Sequence, residues 1–97
     1  MLFALNKSPL ATNSLKSVLD IAPPGAPILL YEDGVYGAVA GSASEAELQR
    51  ALSAHPVYAI EADVKARGLD RLVEEVQIIG YDGFVGLVEE HDMVPWQ

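Results

Sequence analysis

Ile28–Leu29–Leu30–Tyr31–Glu32–Asp33–Gly34–Val35–Tyr36 is the stretch whose reading decides the fold. Four bulky side chains in a row suit a strand buried on both faces, the place of a central strand in a parallel sheet. An acidic pair and a glycine then end the run. Asp33 is placed to cap the first N–H groups of a following helix, and Gly34 to turn the chain without a Cβ clash. In open α/β sheets, ligands and chemistry collect at the carboxyl ends of the strands. Glu32, Asp33 and Gly34 fall there, although the same residues also make an ordinary capped strand–helix turn.

Working outward toward the N-terminus, Phe3–Ala4–Leu5 forms a short apolar strand that ends at Asn6–Lys7–Ser8–Pro9. Pro9 has no N–H and holds Ser8 extended, so sheet pairing stops there. Thr12, Asn13 and Ser14 are competent helix caps, and Leu15, Val18, Leu19 and Ala22 repeat at helical spacing. Pro23–Pro24–Gly25 closes that helix. Beyond Gly34, Val35, Ala38 and Val39 keep a helical spacing that Gly37 and Gly41 weaken. Ser44–Glu45–Ala46–Glu47 reads as a capping box opening a helix with Leu48, Ala51 and Leu52 inward.

Val57–Tyr58–Ala59–Ile60 reads as a third strand. A helix follows over Glu61–Gly68, with Glu61–Lys65 and Asp63–Arg67 as i,i+4 pairs and Gly68 as its stop. Asp70 is expected to cap one more turn through Leu72 and Val73. Val76–Gln77–Ile78–Ile79 is the fourth strand, stopped by Gly80. Phe84, Leu87, Val88 and His91 mark one face of a last helix, and Val94–Pro95–Trp96–Gln97 is an extended tail. Strands alternating with helices predict one α/β domain over residues 1–97. Its expected form is a small three-layer, open, mainly parallel sheet of about four strands with helices on both faces.

Composition narrows the function. With 51% hydrophobic and 21% charged residues the chain is globular, not disordered. No apolar run approaches the roughly 20 residues a membrane helix needs, and Met1–Leu5 is too short for a secretory h-region. A cytoplasmic location is expected, without membrane attachment. Fourteen acidic against six basic residues give a net charge of −8. Phosphate neutralisation by Lys and Arg supplies most nucleic-acid affinity, and here those residues are scattered singly, so direct nucleic-acid binding is not expected. There is no cysteine, which removes disulfides, thiolate metal sites and a persulfide on this chain.

No motif carries chemistry by itself. Lys7 and Ser8 are adjacent on an extended segment and point to opposite sides, so Ser8 reads as a turn residue, not a nucleophile. His55 and His91 each close a helix, where the dipole favours them, and no metal-ligand spacing occurs. Ala22–Pro27 lacks the donors and the Gly-Lys-Ser/Thr of a phosphate loop. The glycines of Gly80–Gly86 lack the dinucleotide fingerprint. Catalytic, cofactor and metal residues are therefore none. The candidate turn or interface residues are Glu32, Asp33, Gly34, Tyr36 and Trp96. Tyr31, Tyr36, Tyr58 and Trp96 are candidate interface anchors, with core packing the ordinary alternative for Tyr31 and Tyr58.

Several segments in register resemble the DsrH/TusB family of the DsrE-like superfamily. They are Asn6–Pro9 after the first strand, Leu29–Tyr36, Val57–Ile60 leading to Asp63–Gly68, and Tyr81–Val85 with the terminal Trp96. The Asn-Lys-Ser-Pro and Glu-Asp-Gly-Val-Tyr wording looks closer to the DsrH branch of sulfur-oxidising bacteria than to the TusB branch. The resemblance implies a subunit of a cytoplasmic sulfur relay, a heterohexamer with DsrE/TusD-like and DsrF/TusC-like partners. Sulfur there travels as a cysteine persulfide, toward sulfur oxidation or tRNA 2-thiouridine. Some DsrH members carry a first-helix cysteine in a Ser-Leu-x-x-Cys-Leu context. The matching segment here is Ser14–Leu19, and that position is Val18. Three readings follow: a non-catalytic relay subunit, a stand-alone homo-oligomeric binding or regulatory module, and an enzyme acting through Glu32 and Asp33.

Overall fold

The computed structural model describes residues 1–96. Five strands form one sheet: β1 Leu2–Leu5, β2 Ile28–Leu30, β3 Val57–Ile60, β4 Gln77–Ile79 and β5 Met93–Trp96. They lie in the order β4-β3-β2-β1-β5, and every neighbouring pair is parallel. β2 is central, as its apolar run requires, and Ile28, Leu29 and Leu30 are each no more than 1% exposed. Complete burial of such a side chain is worth about 1.5–3 kcal/mol.

The sheet has five strands among the described residues, where about four were expected. Met93 and, from the expected tail, Val94–Trp96 pair with β1 from Leu2↔Met93 to Leu5↔Trp96. An edge strand needs hydrogen bonds on one side only, so Pro95, lacking an N–H, is tolerated there. The strand is short and polar-flanked, which hid it from periodicity.

Side chains alternate across the sheet. Phe3, Leu5, Ile28, Leu30, Val57 and Ala59 face one layer. That layer holds α1 (Ser14–Ile21), α2 (Glu45–Ala54) and Val64 of α3 (Glu61–Ala66), together with a 3₁₀ helix over Glu32–Ala38. Leu2, Ala4 and Leu29 face the other layer, where Phe84, Leu87 and Val88 of α4 (Tyr81–Glu90) pack. The two layers are unequal. One ten-residue helix, about 10 Å in diameter, cannot roof five strands spaced about 4.8 Å apart, and no residue of α4 is fully buried.

Several local expectations are revised. The segment after β2 is 3₁₀, not α, and none of the helices α1 to α4 is closed by a side-chain N-cap bond. Ser44 does not complete a capping box with Glu47; its carbonyl accepts from Leu48 N–H at 3.0 Å, while the Glu45 carboxylate takes the Gly41 N–H. Asp70 starts no helical turn, because Leu72 bridges antiparallel to Val39 and the Arg71 carbonyl accepts from Ala40 N–H at 2.7 Å. β4 begins at Gln77, one residue later than expected. Both i,i+4 pairs form: Glu61–Lys65 at 3.7 Å and Asp63–Arg67 at 3.8 Å. Gly68 follows at φ +64°, the left-handed stop expected.

Candidate functional site

The carboxyl ends of β1, β2 and β3 converge on the Glu32–Gly34 turn. Its left-handed residue is Glu32, at φ 48°, a conformation L side chains disfavour. Gly34 is needed for a different reason than the one its sequence suggests. A Cβ there would sit 2.0 Å from the Leu5 carbonyl oxygen, so the turn is pressed onto the end of β1. Asp33 caps nothing; it is exposed and turned toward Arg67.

Arg67 ties the turn to α3. Its Nη2 lies 2.9 Å and its Nε 3.0 Å from Asp33 Oδ1, and its Nη1 donates to the Asp63 carbonyl at 3.2 Å. Asp63 in turn accepts the Glu32 N–H on Oδ2 at 2.8 Å, holding the strained residue in place. The Arg67 side chain is 23% exposed, which strengthens these contacts relative to a fully solvated pair. Replacing it, as in Arg67→Gln, is expected to cost about 1 kcal/mol. Urea unfolding should read that difference, and it should shrink as salt is raised.

Beside this turn a groove of about 460 Å³ runs between the sheet and α4. Leu29, Tyr31 and Ile60 line it from the sheet, Tyr81 and Phe84 from α4, and Glu61 and Asp63 from α3. Burial of Tyr31, seconded by the negative charge of Glu32, raises its phenol above the ordinary value of 10.0, so it stays neutral through the physiological range. No group of three His, Asp or Glu side chains fit to hold a metal occurs among the described residues.

The five candidate residues do not form one site. Glu32, Asp33 and Gly34 are together at the turn, and Tyr36 lies half-buried one helical turn along. Trp96 sits at the end of β5, with its ring edge-on to Phe3 (centroids 6.0 Å apart, planes at 78°) and packed against the first core layer. Tyr31 and Tyr58 pack in the second layer. His55 is more than a helix-dipole residue: buried, it donates through Nδ1 to the Ala26 carbonyl at 2.8 Å, fixing the approach to β2. Asn6 Oδ1, at the end of β1, is buried without a hydrogen-bond partner. Sequence reading missed Arg67 as the partner of Asp33, since 34 residues separate them. It also missed the exposed Tyr81 at the mouth of the groove.

The described residues thus form an α/β fold on a five-stranded all-parallel sheet, with one face well covered and the other partly open. Its backbone matches a protein of unknown function from Methanobacterium thermoautotrophicum over 97% of this chain and 96% of the other (TM-score 0.70, 17% identity). It also matches a Thermotoga maritima protein solved in solution over 95% of each chain (TM-score 0.62, 27% identity). The family model described as DsrH like protein matches residues 7–94. Protein TusB of Serratia proteamaculans is 38% identical, over 94% of both chains. Protein TusB of Sodalis glossinidius is 40% identical over 93% of both, and that of Escherichia coli K12 is 35% identical over 94% of both. The chain belongs to the DsrH/TusB family. These relatives carry the TusB name.

Proposed function

We propose that this chain is the non-catalytic subunit of a TusBCD-like sulfur relay that supports 2-thiouridine synthesis on tRNA. The observation that carries the reading is the absence of any thiol in a chain of this family. A relay passes sulfur as a persulfide, and a persulfide needs a cysteine on the protein that holds it. This chain therefore contributes shape: it steadies TusD-like and TusC-like subunits whose cysteines carry the sulfur. A heterohexamer with two copies of each subunit is the assembly this role calls for, working in the cytoplasm beside its tRNA-modifying acceptor. The TusB relatives support thiolation over sulfur oxidation. No helix among the described residues is long and apolar enough to cross a membrane, which agrees with a role among soluble partners.

Co-expression with TusC-like and TusD-like chains from the same organism tests the proposal. Co-purification in equal amounts is expected, together with a fall in tRNA 2-thiouridine when the gene is removed. In labelled sulfane-sulfur transfer, label is expected on the cysteine-bearing partner and not on this chain. Covalent label on the isolated chain, or failure of the three chains to associate, would reject the reading. A stable symmetric dimer that ignores both partners would favour the stand-alone module instead.

A further inference from the structure

The geometry points to the groove between α4 and the carboxyl half of the sheet as the surface that receives the relay partner. It fits an apolar side chain of that partner flanked by Lys or Arg; this rests on the relay reading above. Two features select that occupant. First, the floor and wall are apolar: Tyr31 and Ile60 beside the buried Leu29, and Phe84 of α4, are only half-buried, and Tyr81 stands 79% exposed at the mouth. Large amphipathic aromatics in such positions anchor protein interfaces.

Second, the rim is acidic. Of the side chains lining the groove Glu61 and Asp63 are acidic and Lys65 is basic; Asp82 follows the lining Tyr81, and Glu32 and Asp33 belong to the adjoining turn that Asp63 and Arg67 hold. Both cations already lie against carboxylates, Lys65 on Glu61 at 3.7 Å and Arg67 on Asp33 at 2.9 Å. Two carboxylates against one ammonium leave the lining net negative, and Asp82 next to Tyr81 carries the same sign. A second copy of this chain is the wrong occupant. Each copy carries −8 overall, and a symmetric contact would set one acidic rim against another. A basic-flanked segment neutralises the rim and fills the slot, and its approach is steered by the opposite charge.

The test uses the whole chain with its co-purified TusC-like and TusD-like partners. Three variants are compared for affinity: Tyr81→Glu, the double reversal Glu61→Lys with Asp82→Lys, and Ile21→Glu as a control. Ile21 is 57% exposed on α1, in the opposite layer, so all three variants alter solvent-facing positions and circular dichroism should show unchanged folding. Tyr81→Glu is expected to weaken assembly about thirtyfold, the size of an interface hot spot. The double reversal should weaken it and flatten its dependence on salt, and Ile21→Glu should leave it within about twofold. If the wild type assembles and the Tyr81 and rim variants assemble equally well, the groove is not the docking surface and the relay reading stands. If Ile21→Glu alone disrupts assembly, the partner sits on the opposite layer and the assignment is wrong. If the wild type fails to assemble, both fall.

Discussion

Gly34→Ala is expected to cost about 3 kcal/mol or more, at or beyond the upper end of overpacking penalties, and to displace the turn that carries Glu32 and Asp33. The added methyl would be placed 2.0 Å from the Leu5 carbonyl oxygen and 2.9 Å from its carbon. Those are main-chain atoms of β1. The same carbonyl accepts the Tyr31 N–H at 3.0 Å, so it cannot retreat without breaking the contact that continues the β1–β2 ladder. Nor can the turn move away freely, because Gly34 N–H is held by the Tyr31 carbonyl at 2.8 Å and Glu32 N–H by Asp63. For a domain of this size total stability is about 5–15 kcal/mol, so the loss is a large share of the whole. Urea unfolding should show a lower midpoint at an unchanged slope. Gly86→Ala is the matched control: it lies inside α4 with nothing within 4 Å of the added Cβ, and a helix-interior alanine should gain about 0.5–1 kcal/mol. A Gly34→Ala protein as stable as the wild type would show that β1 and the turn are not in close approach.

That contrast marks what the sequence could and could not disclose. The run Ile28–Leu30 identified the central strand because burial on both faces demands consecutive apolar residues, a local signal. Leu15, Val18 and Leu19 likewise marked their helix through spacing, the i,i+4 charge pairs and Gly68 marked the one after β3, and the alternation of elements made the parallel sheet legible. The reason for Gly34 was not legible: its closest neighbour is 29 residues upstream, and only the assembled sheet puts Leu5 there. The Arg67–Asp33 pair hid for the same reason. Asp63–Arg67 was visible because helices bring i and i+4 together, and the third member came from another element. The cap residues misled because Ser44 and Asp33 have the chemistry of caps, while the Ser44 hydroxyl pairs with that of Ser42 and the Asp33 carboxylate accepts from Arg67. Of the groove, only the acidic turn could be anticipated. Its apolar wall depends on how much of the sheet α4 leaves bare.

Trp96 decides how assembly experiments on the C-terminus are to be read. Deleting residues 94–97 looks, from sequence, like trimming a tail to remove an interface anchor. In the folded protein it removes Val94, Pro95 and Trp96 from a strand paired along its length with β1; Gln97 lies outside the described residues. The deletion uncovers the edge of β1, whose Phe3 is 2% exposed and packs edge-on with the Trp96 ring. An aromatic pair of this geometry adds about 0.5–1.5 kcal/mol beyond the area it buries. Full truncation of a buried Trp costs about 3–5 kcal/mol. Because Trp96 is only half-buried, Trp96→Ala is expected to cost about 2–3 kcal/mol, scaled down from that range. The loss should appear in thermal or urea unfolding of the isolated chain, before any partner is added. Trp96→Phe, which keeps an aromatic edge against Phe3, should recover more than half of it. If Trp96→Ala unfolds like the wild type yet fails to assemble, Trp96 acts at an interface. If it is destabilised in isolation and Trp96→Phe restores both stability and assembly, the residue serves the sheet, and any weakened complex is a consequence of a loosened edge.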